Sequence, residues 1–315
     1  MFSTLLGALP RPPKPRPEGE RTADPADAAS DDEAVRTAIA AQEAAGLDLL
    51  SDGRLRRLID LADPGASFVP EWAFAASCTA RPVKQVLPGP YTLASRLGSG
   101  PDGAVRLAER LRGEIDALAA AGCTVVEIDE PDAARPAFTE ADRALFRSVH
   151  LTLATDAPLH LSLALTGGAV DISGGGARTF LDPPYASYAV DLIGGPDNWR
   201  FVAEVPQGRG VVCGALAAAV GGDEGAELLV WAAYYAGSTA GRGLDRVGLA
   251  NAPGLSALPW DVAVRKLERL AAAARVAALP PGEQLRSALD PRAIDLRSRA
   301  LGRRVPRGTK ERRTH

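Results

Sequence analysis

The chain has 315 residues, with 36 Lys and Arg against 39 Asp and Glu, 46% hydrophobic residues, and only three Cys, three His and one Met. This is ordinary globular material, long enough for a sizeable core, and it excludes a disordered or collagenous chain, a disulfide scaffold and a four-cysteine zinc module. No apolar run approaches the ~20 residues of a membrane span, and the start MFSTLLGALP is too short for a signal-peptide core, so a soluble, cytoplasmic protein is expected.

The elements follow in order. A candidate strand, TLLGAL (4–9), runs into a Pro-rich then acidic loop over residues 11–33. The apolar positions Val35, Ile39, Ala40 and Ala44 share one face and predict a helix that stops at Gly46. LDLLS (47–51) reads as a short strand, residues 54–82 as an irregular insertion, and VKQVL (83–87) as a strand stopped by Pro88-Gly89-Pro90. A helix over about 102–121 precedes TVVEI (124–128), a β-branched run suited to a buried parallel strand. Further strands are expected at 159–165, 187–192, 210–215 and 245–250, with helices near 139–155, 196–205, 223–237 and 259–278. The stretch SGGGAR (173–178) reads as a flexible connection rather than a phosphate cradle.

Eight strands alternating with helices over about 280 residues predict an α/β fold, a single-domain (β/α)8 TIM barrel spanning residues 1–280. No G-x-G-x-x-G follows a strand and no G-x-x-x-x-G-K-[ST] occurs, which weighs against nucleotide-binding folds. Residues 281–315 form a C-terminal extension whose end, Arg297 to His315, carries eight basic residues and one acid. Such a tail reads as a solvated, disordered terminus. Only four of the 36 basic residues are Lys; that bias suggests high-GC bacterial coding, so the arginines argue little for nucleic acid.

In a TIM barrel the chemistry sits at the carboxyl ends of the strands. Reading those ends gives Asp52-Gly53-Arg54, Tyr91, Asp129-Glu130, His160 and Ser162 on the fifth strand, Asp191, and Asn251. Asp129 and Glu130 stand out, because two carboxylates at the mouth of an apolar strand are costly unless partnered.

Several ordered segments resemble the catalytic C-terminal barrel of the cobalamin-independent methionine synthases. LLGALPRPP is similar to the family's opening G-S-x-P. AQEAAGLDLLSDGRLRR resembles Q-x-x-A-G-L-D-x-x-x-D-G-E-x-x-R, VKQVLPGPYTLA resembles V-K-x-x-x-x-G-P-x-T, and EIDEPDAA resembles the Q-x-D-E-P-A segment. RVGLANAPGLSALPWDVAVRKLERL is similar to the last strand, loop and helix. The resemblance implies a stand-alone core barrel that transfers a methyl group from methylfolate or another carrier to a small-molecule thiol, with zinc holding the thiolate. It implies that Asp129 and Glu130 act on substrate, that Asp52, Arg54, Tyr91 and Asn251 line its site, and that His160 and Asp191 are metal ligands.

The implied sites are incomplete. The family's H-x-C pair reads His160-Leu161-Ser162, the last loop (Asn251-Ala252-Pro253-Gly254) lacks a Cys, Ala8 stands for the opening Ser, and Arg54 stands for the acid of D-G-E. An acid there receives an amino group, whereas Arg54 prefers a carboxylate or phosphate. Two other readings stay open at this level. One is a metal-independent decarboxylase or lyase of the uroporphyrinogen-decarboxylase-like type, using Arg54, Asp129 and His160. The other is a non-catalytic, ligand-binding barrel.

Overall fold

The structure is a computed structural model that describes residues 1–13, 30–56, 66–134, 138–220 and 225–289. Seven parallel strands form one curled sheet: β1 (Phe2–Thr4), β2 (Gln85–Pro88), β3 (Val125–Asp129), β4 (His160–Leu165), β5 (Ser187–Asp191), β6 (Gly210–Leu216) and β7 (Val247–Asn251). Their spatial order is β1-β7-β6-β5-β4-β3-β2. Two parallel bridges, Thr4 to Leu49 and Leu50 to Val83, join the edges, so the expected second strand of the barrel is the short segment that closes it. It fails to form a longer ladder for a local reason. The buried Gln42 side chain accepts from the Ser51 N–H and donates to the Ser51 carbonyl, taking the backbone groups a neighbouring strand would use.

Ten α-helices flank this sheet among the described residues: α1 (Asp31–Ala45), α2 (Val69–Ser77), α3 (Pro90–Leu97), α4 (Gly100–Ala120), α5 (Glu140–Thr152), α6 (Ala177–Leu181), α7 (Asn198–Glu204), α8 (Ala226–Ser238), α9 (Trp260–Ala277) and α10 (Glu283–Ala288). Their starts follow the sequence. Ser30 caps α1 by accepting from the Glu33 N–H, and Thr139 and Asp142 form a reciprocal capping box on α5.

Four expectations need correction. The opening strand is Phe2–Thr4 rather than 4–9; beyond it the Leu6 N–H is taken by the Asn251 side chain and Gly7 turns the chain away in the left-handed region. The Pro88-Gly89-Pro90 run does not merely stop a strand. Pro90 occupies the first turn of α3, where a missing N–H costs nothing. The insertion over 54–82 contains α2, anchored by the Trp72 indole donating to the Val83 carbonyl; its residues 57–65 lie outside the described residues. The C-terminal extension begins with α10, and its basic end lies outside the described residues. Much of the 11–33 loop lies outside them too.

The main core lies between the strands and the helices. A smaller cluster of Leu6, Ala164, Ala189, Val212 and Ala250, with Phe2 packed on it, is separate from it. Ala164, Ala189, Val212 and Ala250 alternate with outward residues along β4 to β7, so with Leu6 they plug the barrel interior. Polar side chains flank this plug at both ends. None of the helices among the described residues is long and apolar enough to cross a membrane.

Candidate active site

At the carboxyl end of the strands, Asp129 is the centre of a small charged cluster. Its Oδ1 accepts a hydrogen bond of 2.8 Å from the Thr166 hydroxyl beyond β4, and its Oδ2 is paired with the Arg54 guanidinium. The Asp129 side chain is 9% exposed and that of Arg54 is 28% exposed, so the guanidinium keeps a face toward the mouth. Arg54 is delivered by a turn built for it. Gly53 and Arg54 both lie in the left-handed region, with φ of 72° and 53°. The Asp52 carboxylate accepts from the Arg54 N–H at 2.9 Å, and Gln42 pins the preceding Ser51. A non-glycine residue held there stores of order 1 kcal/mol of strain, which the Asp52 bond and the Arg54–Asp129 pair oppose. Burial pushes the Asp52 carboxyl above its usual pKa although Arg54 and Arg56 pull it down.

Glu130 is placed differently from its neighbour. It is fully buried, Oε1 accepts from the Tyr91 N–H, and Oε2 accepts from the Thr92 N–H. These are first-turn donors of α3 with no partner inside their helix. His150 Nε2 also lies 2.9 Å from Oε1, and its Nδ1 meets the Tyr185 hydroxyl. With a carboxylate on one side and a hydroxyl on the other, Nε2–H donates to Glu130 and Nδ1 accepts from Tyr185. Glu130 is therefore a brace that fixes α3, α5 and the β3 loop, and not a group presented to a substrate. Gly89 must be glycine for this, since a Cβ there would overlap the Glu130 carboxyl.

Tyr91 also belongs to the wall. Its ring packs edge-on against Phe138 and Phe146, and its hydroxyl donates to Asp142 at 2.9 Å. Asn251 is completely buried; its side chain accepts from the Leu6 N–H and donates to the Leu6 and Ala252 carbonyls. It ties the end of β7 to the segment after β1. Asp191, at the end of β5, accepts from the Ile193 and Gly194 N–H groups, and burial raises its pKa.

The expected metal set does not assemble. His160 is the first residue of β4, paired in register with Val125, whereas Asp129 pairs with Ala164. His160 therefore sits at the amino end, the opposite end of the barrel from Asp191, and its Nε2 lies 2.7 Å from the Ser187 hydroxyl. Ser162 is bonded to the same Ser187. The inward position of β4 nearest the mouth is Ala164, a side chain with no donor. Each thiol lies against a backbone carbonyl, Cys78 on Phe74, Cys123 on Val125 and Cys213 on Ala232. Among the described residues no three His, Cys, Asp or Glu come together as a metal site. The residues present do not fit zinc, and the lyase constellation of Arg54, Asp129 and His160 is separated in the same way. Thr166 is the site residue that strand-end reading passed over; a polar residue directly after an apolar strand, Leu165-Thr166-Gly167, was its signal.

Comparison with known proteins agrees with this architecture. Residues 58–164 match the family described as cobalamin-independent synthase, catalytic domain. The 5-methyltetrahydropteroyltriglutamate–homocysteine methyltransferase of Saccharomyces cerevisiae is 40% identical over 77 residues, which are 23% of this chain and 10% of that protein. The enzyme of the same name from Candida albicans is 38% identical over 77 residues with the same coverage. The matched segment is thus about a tenth of these relatives' length. Among solved structures, a B12-independent methionine synthase from Shewanella sp. W3-18-1, in complex with selenomethionine, superposes with a TM-score of 0.70 and 18% identity, covering 87% of this chain and 96% of that one. A methyltransferase from Methanosarcina mazei gives a TM-score of 0.55 and 16% identity, over 78% and 85% of the two chains. The resemblance to cobalamin-independent methionine synthases thus holds in sequence over the β2–β4 region, and the barrel fold is shared along most of the chain.

Proposed function

We propose that this barrel is a methionine-synthase-like methyltransferase, acting on a thiol or related acceptor that carries an anionic group. The observation behind this reading is the Arg54–Asp129 pair at the strand mouth, whose Asp129 opens the DEP segment of the matched region. A carboxylate at this place would receive an acceptor's ammonium, but here it already holds a guanidinium. An acceptor bearing a carboxylate or phosphate instead finds the open face of Arg54, whose planar fork suits such groups. Homocysteine brings a carboxylate for Arg54 but also an ammonium that this mouth does not receive, so an anionic thiol without an ammonium is favoured over it.

The chemistry asks three things of the protein. The acceptor atom must lie in line with the carrier–methyl bond, its proton must leave, and water must be kept from the reaction. As the thiolate lone pair forms the new S–C bond, the electrons of the broken carrier–methyl bond stay with the carrier, and the thiol proton passes to a base. Asp191 is placed for that proton: it is buried at the mouth, its pKa is raised by burial, and it is held by two backbone N–H groups. Thr166 fixes Asp129, and Asp129 aims the Arg54 guanidinium that orients the acceptor. No step is routed through zinc, because the residues at this mouth do not supply its ligands. A methylfolate donor follows only from the names of the relatives.

The test is formation of S-methyl product from a panel of small thiols, with 5-methyltetrahydropteroyltriglutamate and methylcobalamin as donors. Transfer to a carboxylate-bearing thiol, reduced about a hundredfold in Asp129→Asn, is the expected result. Absence of transfer from either donor to any thiol would overturn the reading.

A further inference from the structure

The amino-terminal end of the barrel holds a cavity of about 320 Å3, on the far side of the apolar plug from Arg54 and Asp129. That volume falls at the lower end of small-molecule sites. Phe2, Leu49, Val125 and Val212 give it apolar walls.

The polar groups that also line it are closed on one another. Lys84 Nζ meets Glu127 Oε2 at 2.7 Å, with the two side chains 1% and 3% exposed. His160, Ser187 and Ser162 form a chain with steps of 2.7 and 2.9 Å, and desolvation lowers the pKa of His160. At the rim, the Asp48 carboxylate accepts from the Ser3 N–H and hydroxyl. An ion inside this space would have to break the buried Lys84–Glu127 pair to find a counter-charge, leaving its former partner alone in a low-dielectric site, since Asp48 offers its charge only at the exposed rim. One lining group breaks the pattern. Thr4 is 1% exposed and its hydroxyl has no hydrogen-bond partner, although buried hydroxyls are normally paired.

We propose that this cavity is a second binding site, for a small uncharged organic molecule with an apolar body and a single hydroxyl or carbonyl group. The walls take the body, the internal ion pair rejects charge, and the unpaired Thr4 hydroxyl receives the polar group. The site lies at the other end of the barrel from the proposed acceptor site, so its occupancy does not depend on the methyl-transfer reading.

The test uses the full chain and ligand-observed saturation-transfer NMR with probes of one shape: benzyl alcohol, ethylbenzene, benzoate and benzylammonium. Benzyl alcohol is expected to bind saturably and about tenfold more tightly than either ion. Val125→Trp, which fills the cavity from its rim, is expected to weaken binding about tenfold. Leu49→Phe is the second filling variant if the first does not fold by circular dichroism. Thr4→Val should weaken benzyl alcohol more than ethylbenzene. No saturable binding of either neutral probe, meaning a cavity filled by solvent only, would overturn the proposal. So would tighter binding of an ion, binding unchanged in a folded filling variant, or equal effects of Thr4→Val on both neutral probes.

Discussion

The two ends of the barrel each carry an ion pair, and the pairs are built in opposite ways. At the mouth, Arg54 reaches Asp129 from a strained turn and keeps more than a quarter of its side chain exposed. At the floor, Lys84 and Glu127 are sealed from solvent. The mouth pair is therefore a charge on offer, able to exchange its partner for a ligand, while the floor pair is a fixed part of the wall. Burial and strain, rather than the identity of the charged residues, separate a recognition device from a structural one. Glu130 adds weight to the distinction. It is adjacent to Asp129 in sequence, yet four hydrogen bonds of the brace run through it and His150.

This contrast is open to attack at several strengths. The largest effect is expected at the floor. Lys84→Met leaves Glu127 buried without a counter-charge and should cost about 3–5 kcal/mol in chemical denaturation, whereas the double replacement Lys84→Met with Glu127→Leu should recover most of that loss. A small cost for the single variant would break the claim that this pair is sealed. Next comes the brace. Glu130→Leu removes the acceptor of two α3 N–H groups and His150, and should cost about 3 kcal/mol. At the mouth the outcome should differ in kind: Arg54→Gly relieves the left-handed strain while losing a partly exposed pair, so stability should change by less than about 1 kcal/mol. The smallest effect concerns α2. Glu71 is raised to about 7, first by burial and then by the nearby Asp52 charge. An acid whose folded pKa exceeds its unfolded value favours the fold while protonated. Stability should therefore decline between about pH 4.5 and 7, and a thermal melt series with Glu71→Gln should flatten that decline.

The barrel was readable because its signals are local: β-branched runs, helix stops at glycine, and alternation over most of the chain. Strand ends such as Asp52-Gly53-Arg54 and Asp129-Glu130 were also visible. What each end residue does was not. Whether a carboxylate faces the mouth or a neighbouring helix depends on one step along the strand, and Asp129 and Glu130 differ by that step. His160 is a different case. It is the second residue of the expected strand 159–165, so its place at the amino end was legible, and only the resemblance to an H-x-C ligand pair set it at the mouth. Gln42 carried a signal whose meaning required the structure: its amide replaces the ladder of the closing strand. The floor cavity joins residues 2 to 212 and leaves no local trace.

The most direct measurement is calorimetric titration of the full chain with two thiols of similar size and opposite charge, 3-mercaptopropionate and cysteamine. If Arg54 occupies the place of an acceptor's ammonium, the carboxylate-bearing thiol binds about tenfold more tightly than cysteamine, and Arg54→Glu reverses the order. Tighter binding of cysteamine to the unaltered protein, or an order unmoved by that substitution, would contradict the account.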